Sequence, residues 1–211
     1  MNDFSGSYPA SNNKSRSKRQ PGRPRDESLE DRVLDTAIIL FAQSGWKGFT
    51  FESLARTARV GKAALYGRWE SREHLLSETL EKRWLSLDAV DMGSFREDMT
   101  ALAQTLFKFF SGPNSNVMLY LQADALQHEE VRRVRYPYAL KLIQTGRAIV
   151  TRAKERGELS EDANAALIMD MLTGAISNHI STTPLRLKPV MIEKSDDYIS
   201  SLVKAIEKAC S

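Results

Sequence analysis

Apolar residues recur at helical spacing along most of this 211-residue chain. Between the prolines, apolar side chains repeat at positions i, i+3, i+4 and i+7, and no long stretch alternates with the period of two that strands require. Hydrophobic residues make up 42% of the chain, which is enough for a sizeable core. The pattern therefore predicts an all-α protein of about nine helices.

The segment Thr50–Leu76, TFESLARTARVGKAALYGRWESREHLL, predicts two short helices joined by a tight turn, with a third helix directly after them. Thr50 and Ser71 are residue types that favour helix N-caps. We expect the turn at residues 59–61 and the second helix over residues 62–69. An earlier helix is expected to begin at an N-cap Ser28 and to end at Gly45. The residues expected on the core side of the first short helix are Phe51, Leu54, Ala55 and Ala58.

The second short helix separates its side chains clearly when they are placed at 100° per residue. Leu65 and Trp69 fall on the core side. The opposite face carries only Ala63, Ala64 and Gly67, which permit close approach of the backbone but offer few hydrogen bonds. The polar side chains expected to project outward around this face are Lys62, Tyr66, Arg68 and Arg72.

A helix pair of this kind is typical of proteins that place one helix in the major groove of DNA. We expect Ala63 and Ala64 to contact thymine methyl groups, with Gly67 allowing the close approach. Arg68 is expected to reach a phosphate or a guanine. A helical subdomain whose cations are merely solvated is the alternative. The residues expected to hold DNA phosphates are Thr50, Lys62, Tyr66 and Arg72.

An Arg-rich arm, KRQPGRPR, lies upstream at Lys18–Arg25. We expect Arg23 and Arg25 to enter the narrow minor groove of A·T-rich DNA, since proline keeps the segment extended. Residues 1–75 hold 13 of the 30 Lys and Arg residues but only 9 of the 27 Asp and Glu residues, which fits a nucleic-acid-binding face. A flexible, solubilising basic tail is the alternative. Residues 1–26 are too polar to build a core and are expected to be disordered when free.

Within residues 22–85 the sequence resembles the TetR family of bacterial transcriptional regulators. The resemblance includes the Gly22–Arg25 arm and the Leu34–Gly45 helix, and beyond residue 90 it is only architectural. Gly61 and Ala64 depart from the family pattern, which more often has hydroxyl residues there. The matching positions in the helix pair are Phe49-Thr50, Leu54-Ala55, Ala58, Val60, Lys62-Ala63, Leu65-Tyr66, Trp69, Ser71-Arg72-Glu73 and Leu75-Leu76.

The resemblance implies three regions. Residues 1–26 would form the arm, residues 27–88 a three-helix helix-turn-helix DNA-binding domain with a connecting fourth helix, and residues 89–211 a helical ligand-binding and dimerisation domain. It also implies an Ω-shaped homodimer on double-stranded DNA, in which a small molecule changes the spacing of the two reading heads. Typical members of the family repress promoters and are released by ligand.

Five further helices are predicted downstream, at Phe95–Phe110, Val117–His128, Glu129–Arg156, Ala163–Ile180 and Ile192–Lys208. Pro137 predicts a kink or a split in the third of these.

The last two predicted helices are the candidate dimer interface. The helix at 163–180 is apolar on two sides, with Ile168, Met169, Leu172 and Ile176 on one and Leu167, Met171 and Gly174 on the other. A helix buried all round belongs between its own core and a partner. The final helix adds Ile199, Leu202, Val203 and Ile206, so that both helices with their symmetry mates would form a four-helix interface. A monomeric core is the alternative.

A ligand pocket is expected between the fifth helix and the penultimate helix. Aromatic and Met side chains there suit a hydrophobic ligand, aromatic or cationic in character. Ordinary core packing is the alternative for each residue. The candidate ligand-binding residues are Phe107, Phe110, Met118, Tyr120, Leu121, Tyr136, Tyr138, Met169 and His179.

The sequence offers no sign of catalytic chemistry. It has no Gly-rich phosphate loop, nucleophile elbow, paired carboxylates or metal-ligand spacing, so no catalytic residue, metal or cofactor is expected. One cysteine, no signal peptide and no apolar run of membrane-spanning length predict a cytoplasmic protein without membrane association. The leading hypothesis is a ligand-responsive dimeric repressor, released from a palindromic operator by a small hydrophobic effector. The alternative is a ligand-independent or architectural DNA-binding protein.

Overall fold

The computed structural model describes residues 27–84, 90–113 and 115–210. Within these residues the chain forms ten α-helices, one 3₁₀ helix at Leu185–Leu187 and no strand, which confirms the all-α prediction. None of these helices is long and apolar enough to cross a membrane. The helices are α1 Glu27–Gly48, α2 Phe51–Ala58, α3 Lys62–Tyr66, α4 Arg72–Arg83, α5 Phe95–Ser111, α6 Asn116–Ala125, α7 Glu129–Glu155, α8 Ala165–Thr182, α9 Lys188–Glu193 and α10 Ser195–Cys210.

The predicted final helix at 192–208 is two helices in the structure. α9 begins earlier, with Pro189 in its first turn, where the missing N–H has no helical partner to lose. Lys194 then leaves helical geometry, with φ −96° and ψ 16°, before α10 begins. This extra helix explains why the described chain has ten α-helices where about nine were predicted.

One expectation about helix ends was wrong, because Glu27, which precedes the predicted N-cap Ser28, is already helical. Of the kink or split predicted at Pro137, the split is absent, since α7 runs without interruption from Glu129 to Glu155, and the kink stays a prediction. Gly45 does break the regular helical geometry of α1, with a φ of 58°, although one further turn carries the helix on to Gly48.

The first of two apolar cores, the N-terminal cluster, joins α1 to α4 with α6 and the beginning of α7. Burying a large apolar side chain stabilises a fold by about 1.5–3 kcal/mol, so this set dominates the stability of the region. The predicted boundary at residue 88 stays a prediction, but apolar packing crosses it through α6. The cluster includes Phe41, Trp46, Phe49, Leu54, Leu65, Trp69, Leu75, Leu121, Val131 and Val134.

The second core, the C-terminal cluster, is built by α5, the end of α7, α8, α9 and α10. It takes up Ile199, Val203 and Ile206 of α10, which are buried within their own protomer. The prediction that these three side chains face a symmetry mate was therefore wrong, because they already complete the core of one chain. Other members include Phe95, Met99, Leu102, Phe107, Ile149, Ile168, Leu172 and Ile176.

The buried carboxylate of Asp98 holds the segment before α5 against the C-terminal cluster. Asp98 is fully buried and accepts hydrogen bonds from the Met92 amide at 2.5 Å and from the Arg152 guanidinium at 3.1 Å. A buried charge is tolerated only when it is paired and hydrogen-bonded, as this one is. The segment that leads into α5 is therefore anchored to α7.

Candidate DNA-binding surface and ligand cavity

The helix pair forms as the sequence predicts. Thr50 is the N-cap of α2, and its hydroxyl oxygen accepts a hydrogen bond from the Ser53 amide at 3.1 Å. Arg59 ends α2 in the left-handed conformation, with φ 56°, and Val60 packs against the N-terminal cluster. The predicted core side of α2 is confirmed, because Phe51, Leu54, Ala55 and Ala58 are all buried.

The third helix is shorter than predicted, since α3 ends at Tyr66 instead of Trp69. The chain nevertheless keeps a helical path for one more turn, because the Trp69 amide donates to the Leu65 carbonyl at 2.9 Å. Leu65 and Trp69 are both buried, as the helical wheel predicts. The orientation of the exposed face therefore holds although the regular helix is only five residues long.

The outward surface of α3 consists mainly of Lys62, Ala63, Tyr66 and Gly67, all exposed, with Ala64 half-buried at its edge. Tyr66 is 58% exposed, and the edge-to-face contact of its ring with Phe51 at 4.7 Å fixes its orientation. This surface, which we call the reading surface, is smooth and bordered by one cation and one phenol.

Lys62 is paired within the protein. Its ammonium donates to the Glu52 carboxylate at 2.8 Å, and this hydrogen bond raises the pKa of Lys62 and lowers the pKa of Glu52. Both side chains are more than half exposed, so the pair contributes little to stability. A phosphate could therefore replace Glu52 as the partner of Lys62 at small cost.

The expectation that Arg68 and Arg72 project outward was wrong. Arg68 forms an ion pair with Glu30 of α1 at 3.6 Å, and its side chain is only 18% exposed. The guanidinium of Arg72 lies 3.8 Å from the ring centre of Trp46 and donates to the Trp46 carbonyl at 3.1 Å. Both cations bind residues of α1, against which α4 packs, and a helical wheel drawn for α3 alone does not reveal this.

Arg23 and Arg25 lie outside the described residues. Thr50 is half-buried, with its hydroxyl engaged at the helix cap. Contacts between DNA and any of the named residues therefore stay predictions.

A cavity of about 400 Å³, which we call the inner cavity, lies between α5, α6, α7 and α8, where the two clusters meet. The indole N–H of Trp84 is buried and has no hydrogen-bond acceptor among the described residues. Burial, followed by the charge of Glu81, raises the pKa of Tyr138 to about 12, so this phenol is a neutral group. The apolar walls are formed by Trp84, Leu106, Phe110, Met118, Tyr138 and Leu142.

The polar part of the inner cavity comes largely from α7 and α8. Arg135 and Lys141 supply two cations and Asp170 supplies one anion. Asp170, Thr173, Gly174 and Ser177 lie at spacings i, i+3, i+4 and i+7, which places them on one side of α8. This small polar stripe on an otherwise apolar helix is a signal that sequence reasoning missed.

The structure brings Phe110, Met118 and Tyr138 together in the inner cavity, from the nine ligand-binding candidates. The other six lie elsewhere because helix phase and neighbouring packing direct their side chains away. Phe107, Leu121 and Met169 are buried in the two clusters, and Tyr136 is 64% exposed. Tyr120 contacts Phe41, and His179 stacks on Tyr198 with ring centres 4.0 Å apart.

Helix α6 connects the inner cavity to α1. Met118 and Gln122 line the cavity, whereas Asp124 accepts a hydrogen bond from the Trp46 amide of α1 at 2.7 Å. Trp46 is in turn the residue beneath Arg72 at the beginning of α4. One short helix thus contacts both a cavity and the support of the reading surface.

Comparison with known proteins identifies the family. A model of bacterial regulatory proteins of the tetR family matches residues 33–79, and a model of the tetracyclin repressor-like C-terminal domain matches residues 89–199. The HTH-type transcriptional regulator AqdR of Rhodococcus erythropolis is 28% identical over 167 residues, which cover 79% of this chain and 80% of AqdR. The uncharacterized HTH-type regulator YdeS of Bacillus subtilis is 27% identical over 188 residues, which cover 86% and 89% of the two chains.

A solved structure shares the fold. The crystal structure of the transcriptional regulator FadR from Bacillus subtilis in complex with stearoyl-CoA superimposes with a TM-score of 0.62 at 15% identity, and covers 84% of this chain and 95% of FadR. This likeness shows the fold, and the two family models, which match both halves of the sequence, identify the family. The chain belongs to the TetR family of bacterial transcriptional regulators, which are DNA-binding proteins and not enzymes.

Proposed function

We propose that this protein is a ligand-responsive dimeric repressor that leaves a palindromic operator when a small hydrophobic effector binds. The observation that carries the proposal is the reading surface, a face of small residues bordered by Lys62 and Tyr66 on a tightly packed helical support. Such a face fits closely into a major groove and holds phosphates at its edges.

The proposed DNA contacts divide into three kinds. Ala63 and Ala64 meet thymine methyl groups, with Gly67 permitting close approach. Arg23 and Arg25 enter the adjacent minor groove. The residues proposed to hold phosphates directly are Thr50, Lys62 and Tyr66, whereas Arg68 and Arg72 support the surface through Glu30 and Trp46.

Response to a ligand is supported by α6. A molecule in the inner cavity would touch Met118 and Gln122 of α6. Any displacement of α6 would also strain the hydrogen bond between Asp124 and the Trp46 amide of α1. Ligand binding shifts a conformational equilibrium only when it favours one state, and this shared helix provides the means. FadR, a relative in fold, holds stearoyl-CoA, so this fold accommodates amphipathic molecules.

The dimer is proposed to form through α8 and the outer side of α10. Leu167 of α8 is 55% exposed, although α8 is otherwise rich in buried apolar residues. An exposed apolar side chain at the predicted interface fits contact with a second copy.

Selection of bound sequences from random DNA, combined with a size measurement of the complex, tests the proposal. We expect a palindromic site occupied by two chains or a multiple of two. A single chain bound to A·T-rich DNA without a palindrome would favour the architectural alternative.

The groove assignment has its own test in Ala63→Asp, with Ala63→Asn as a control of nearly the same shape. The new carboxylate faces DNA phosphates, so we expect affinity to fall by about a hundredfold or more, whereas the amide retains most of it. Circular dichroism confirms that both variants fold. Equal affinities of the two variants would contradict the placement of α3 in the groove.

A further inference from the structure

The inner cavity adjoins a second recess at the surface. This recess, which we call the outer groove, lies along α6 and α7 and is lined by Leu119, Leu126 and Arg132 among others. Gln122 and Arg135 line both spaces, so they mark the passage between them. A ligand whose body fills the inner cavity can therefore place a polar end at these two residues.

Arg135 differs from its neighbours on α7 in lacking a partner. Arg132 pairs with Glu129, and Arg133 pairs with Glu73 at 3.1 Å. Arg135 is half-buried, yet within the described part of the chain no hydrogen bond or ion pair engages it. A partly desolvated guanidinium gains most from an oxyanion, which it binds through two parallel N–H donors.

The side chains that line the inner cavity indicate the shape of the apolar part of the ligand. The rings of Trp84 and Tyr138 lie 5.0 Å apart, and Phe110 and Met118 complete an aromatic and thioether surface. Such walls favour a flat apolar group. The indole N–H of Trp84, which finds no acceptor in the part of the chain that the structure describes, adds a donor that suits a ligand acceptor atom.

Charge decides between an anionic and a cationic ligand. Asp170 lines the inner cavity and would attract a cation, whereas the described residues that line the outer groove include two cations, Arg132 and Arg135, and no anion. We propose, building on the proposed function, that the effector is an amphipathic anion with an aromatic body in the inner cavity and a carboxylate or similar oxyanion on Arg135.

The test uses three probes that share one ring system and differ in charge: naphthoate, naphthylmethanol and naphthylmethylammonium. Each competes with the neutral dye N-phenylnaphthylamine for the purified full-length protein. We expect naphthoate to bind about tenfold more tightly than naphthylmethanol, the gain of one charge-assisted contact. Tightest binding of naphthylmethylammonium would overturn the proposal, and so would undetectable binding of naphthoate.

Substitutions of Arg135 test whether this residue causes the preference for naphthoate. Arg135→Met keeps the aliphatic stem and should abolish the preference for naphthoate while leaving naphthylmethanol affinity within about twofold, whereas Arg135→Lys keeps part of the preference. Arg147→Met is the matched control, an exposed arginine of the same helix outside both spaces. An unchanged preference in Arg135→Met would overturn the proposal.

A steric variant locates the probes. A Cβ added at Gly174 meets no atom within 4 Å, and Gly174 lines the inner cavity, so we expect the side chain of Gly174→Leu to extend into that cavity. All three probes should lose binding, and retained binding would overturn the cavity assignment. DNA binding by the same preparations separates the two levels: intact operator binding without anion preference refutes only the ligand class, whereas absent DNA binding refutes the proposed function itself.

Discussion

The N-terminal cluster and the inner cavity use the same kinds of side chain to opposite effect. In the cluster, Phe41, Phe49 and Leu65 are fully buried and leave no room for a ligand. Around the cavity, Trp84, Phe110 and Tyr138 keep one side toward a space of about 400 Å³. Side chains that line a cavity have fewer protein packing contacts, so the cavity region is held less firmly than the N-terminal cluster. The tightly packed N-terminal cluster keeps the geometry of the reading surface constant, whereas the cavity leaves room for a ligand to shift the surrounding helices.

The largest expected effect comes from making the same truncation in both regions. Phe41→Ala should lower the free energy of unfolding by about 3–5 kcal/mol, because it opens a hole in a dense core. Phe110→Ala should lower it by about 1–2 kcal/mol, since Phe110 is half-buried and lines the inner cavity. Urea denaturation measures both values. Equal losses would contradict the difference in packing.

The second prediction concerns the junction between the two regions. Gly45 has a φ of 58°, and a Cβ there would lie 2.5 Å from Tyr120 and 2.8 Å from Asp124. Gly45→Ala should therefore cost roughly 2–4 kcal/mol, from backbone strain and from the disturbed hydrogen bond between Asp124 and Trp46.

Gly157→Ala is the matched control, because Gly157 has a φ of 70° but open space around its Cβ. It should cost only about 1–2 kcal/mol, the strain alone. Thermal unfolding of both variants measures the excess, and the absence of an excess at Gly45 would show that α6 does not press on α1.

Substitution of a charged residue in the reading surface should change DNA affinity more than it changes the stability of the fold. Lys62→Ala is expected to reduce the slope of log affinity against log salt concentration by about 1 for every DNA sequence, as one phosphate contact is lost. Its free energy of unfolding should change by less than about 0.5 kcal/mol, because the pair with Glu52 is exposed. Lys108→Ala, at an exposed position of α5 outside the proposed interface and the reading surface, should alter neither quantity, and an unchanged slope in Lys62→Ala would refute the phosphate contact.

The smallest effect is the pH dependence of the cavity wall. Burial raises the pKa of Tyr138 from 10.0 to about 12, so the unfolded chain releases this proton first as the solution becomes alkaline. The contribution of Tyr138 to stability is therefore complete below pH 10.0 and is lost as pH rises toward about 12. Urea denaturation over this pH range should show that the free energy of unfolding of Tyr138→Phe falls less steeply with rising pH than that of the parent protein. An identical decline would mean that the phenol is solvated.

Much of the DNA-binding region could be predicted because its signals are local. The cap at Thr50, the buried side of α2 and the inward direction of Leu65 and Trp69 follow from spacing within one or two turns. The partners of Arg68 and Arg72 could not be predicted this way. Glu30 and Trp46 belong to α1, and their approach depends on how three helices pack.

The residues that line the inner cavity were even harder to predict from the sequence. Residue type suggested aromatic and Met candidates, yet Phe110, Met118 and Tyr138 alone among them line the space. Tyr136 and Tyr138 are two positions apart on one helix, about 200° around its axis, so one is exposed and the other turns inward. Helix phase separates them only after the facing helix is known.

By itself, the sequence determined the all-α class, the helix pair, its small-residue face and the resemblance to the TetR family. These features depend on residue spacing along the chain, which local hydrogen bonding and apolar periodicity translate directly into helices. Only the tertiary structure decided the partners of Arg68 and Arg72, the lack of a partner for Arg135 within residues 27–84, 90–113 and 115–210, and the double contact of α6. Those features arise from side chains distant in sequence, and packing in three dimensions alone brings them together or leaves them unpaired.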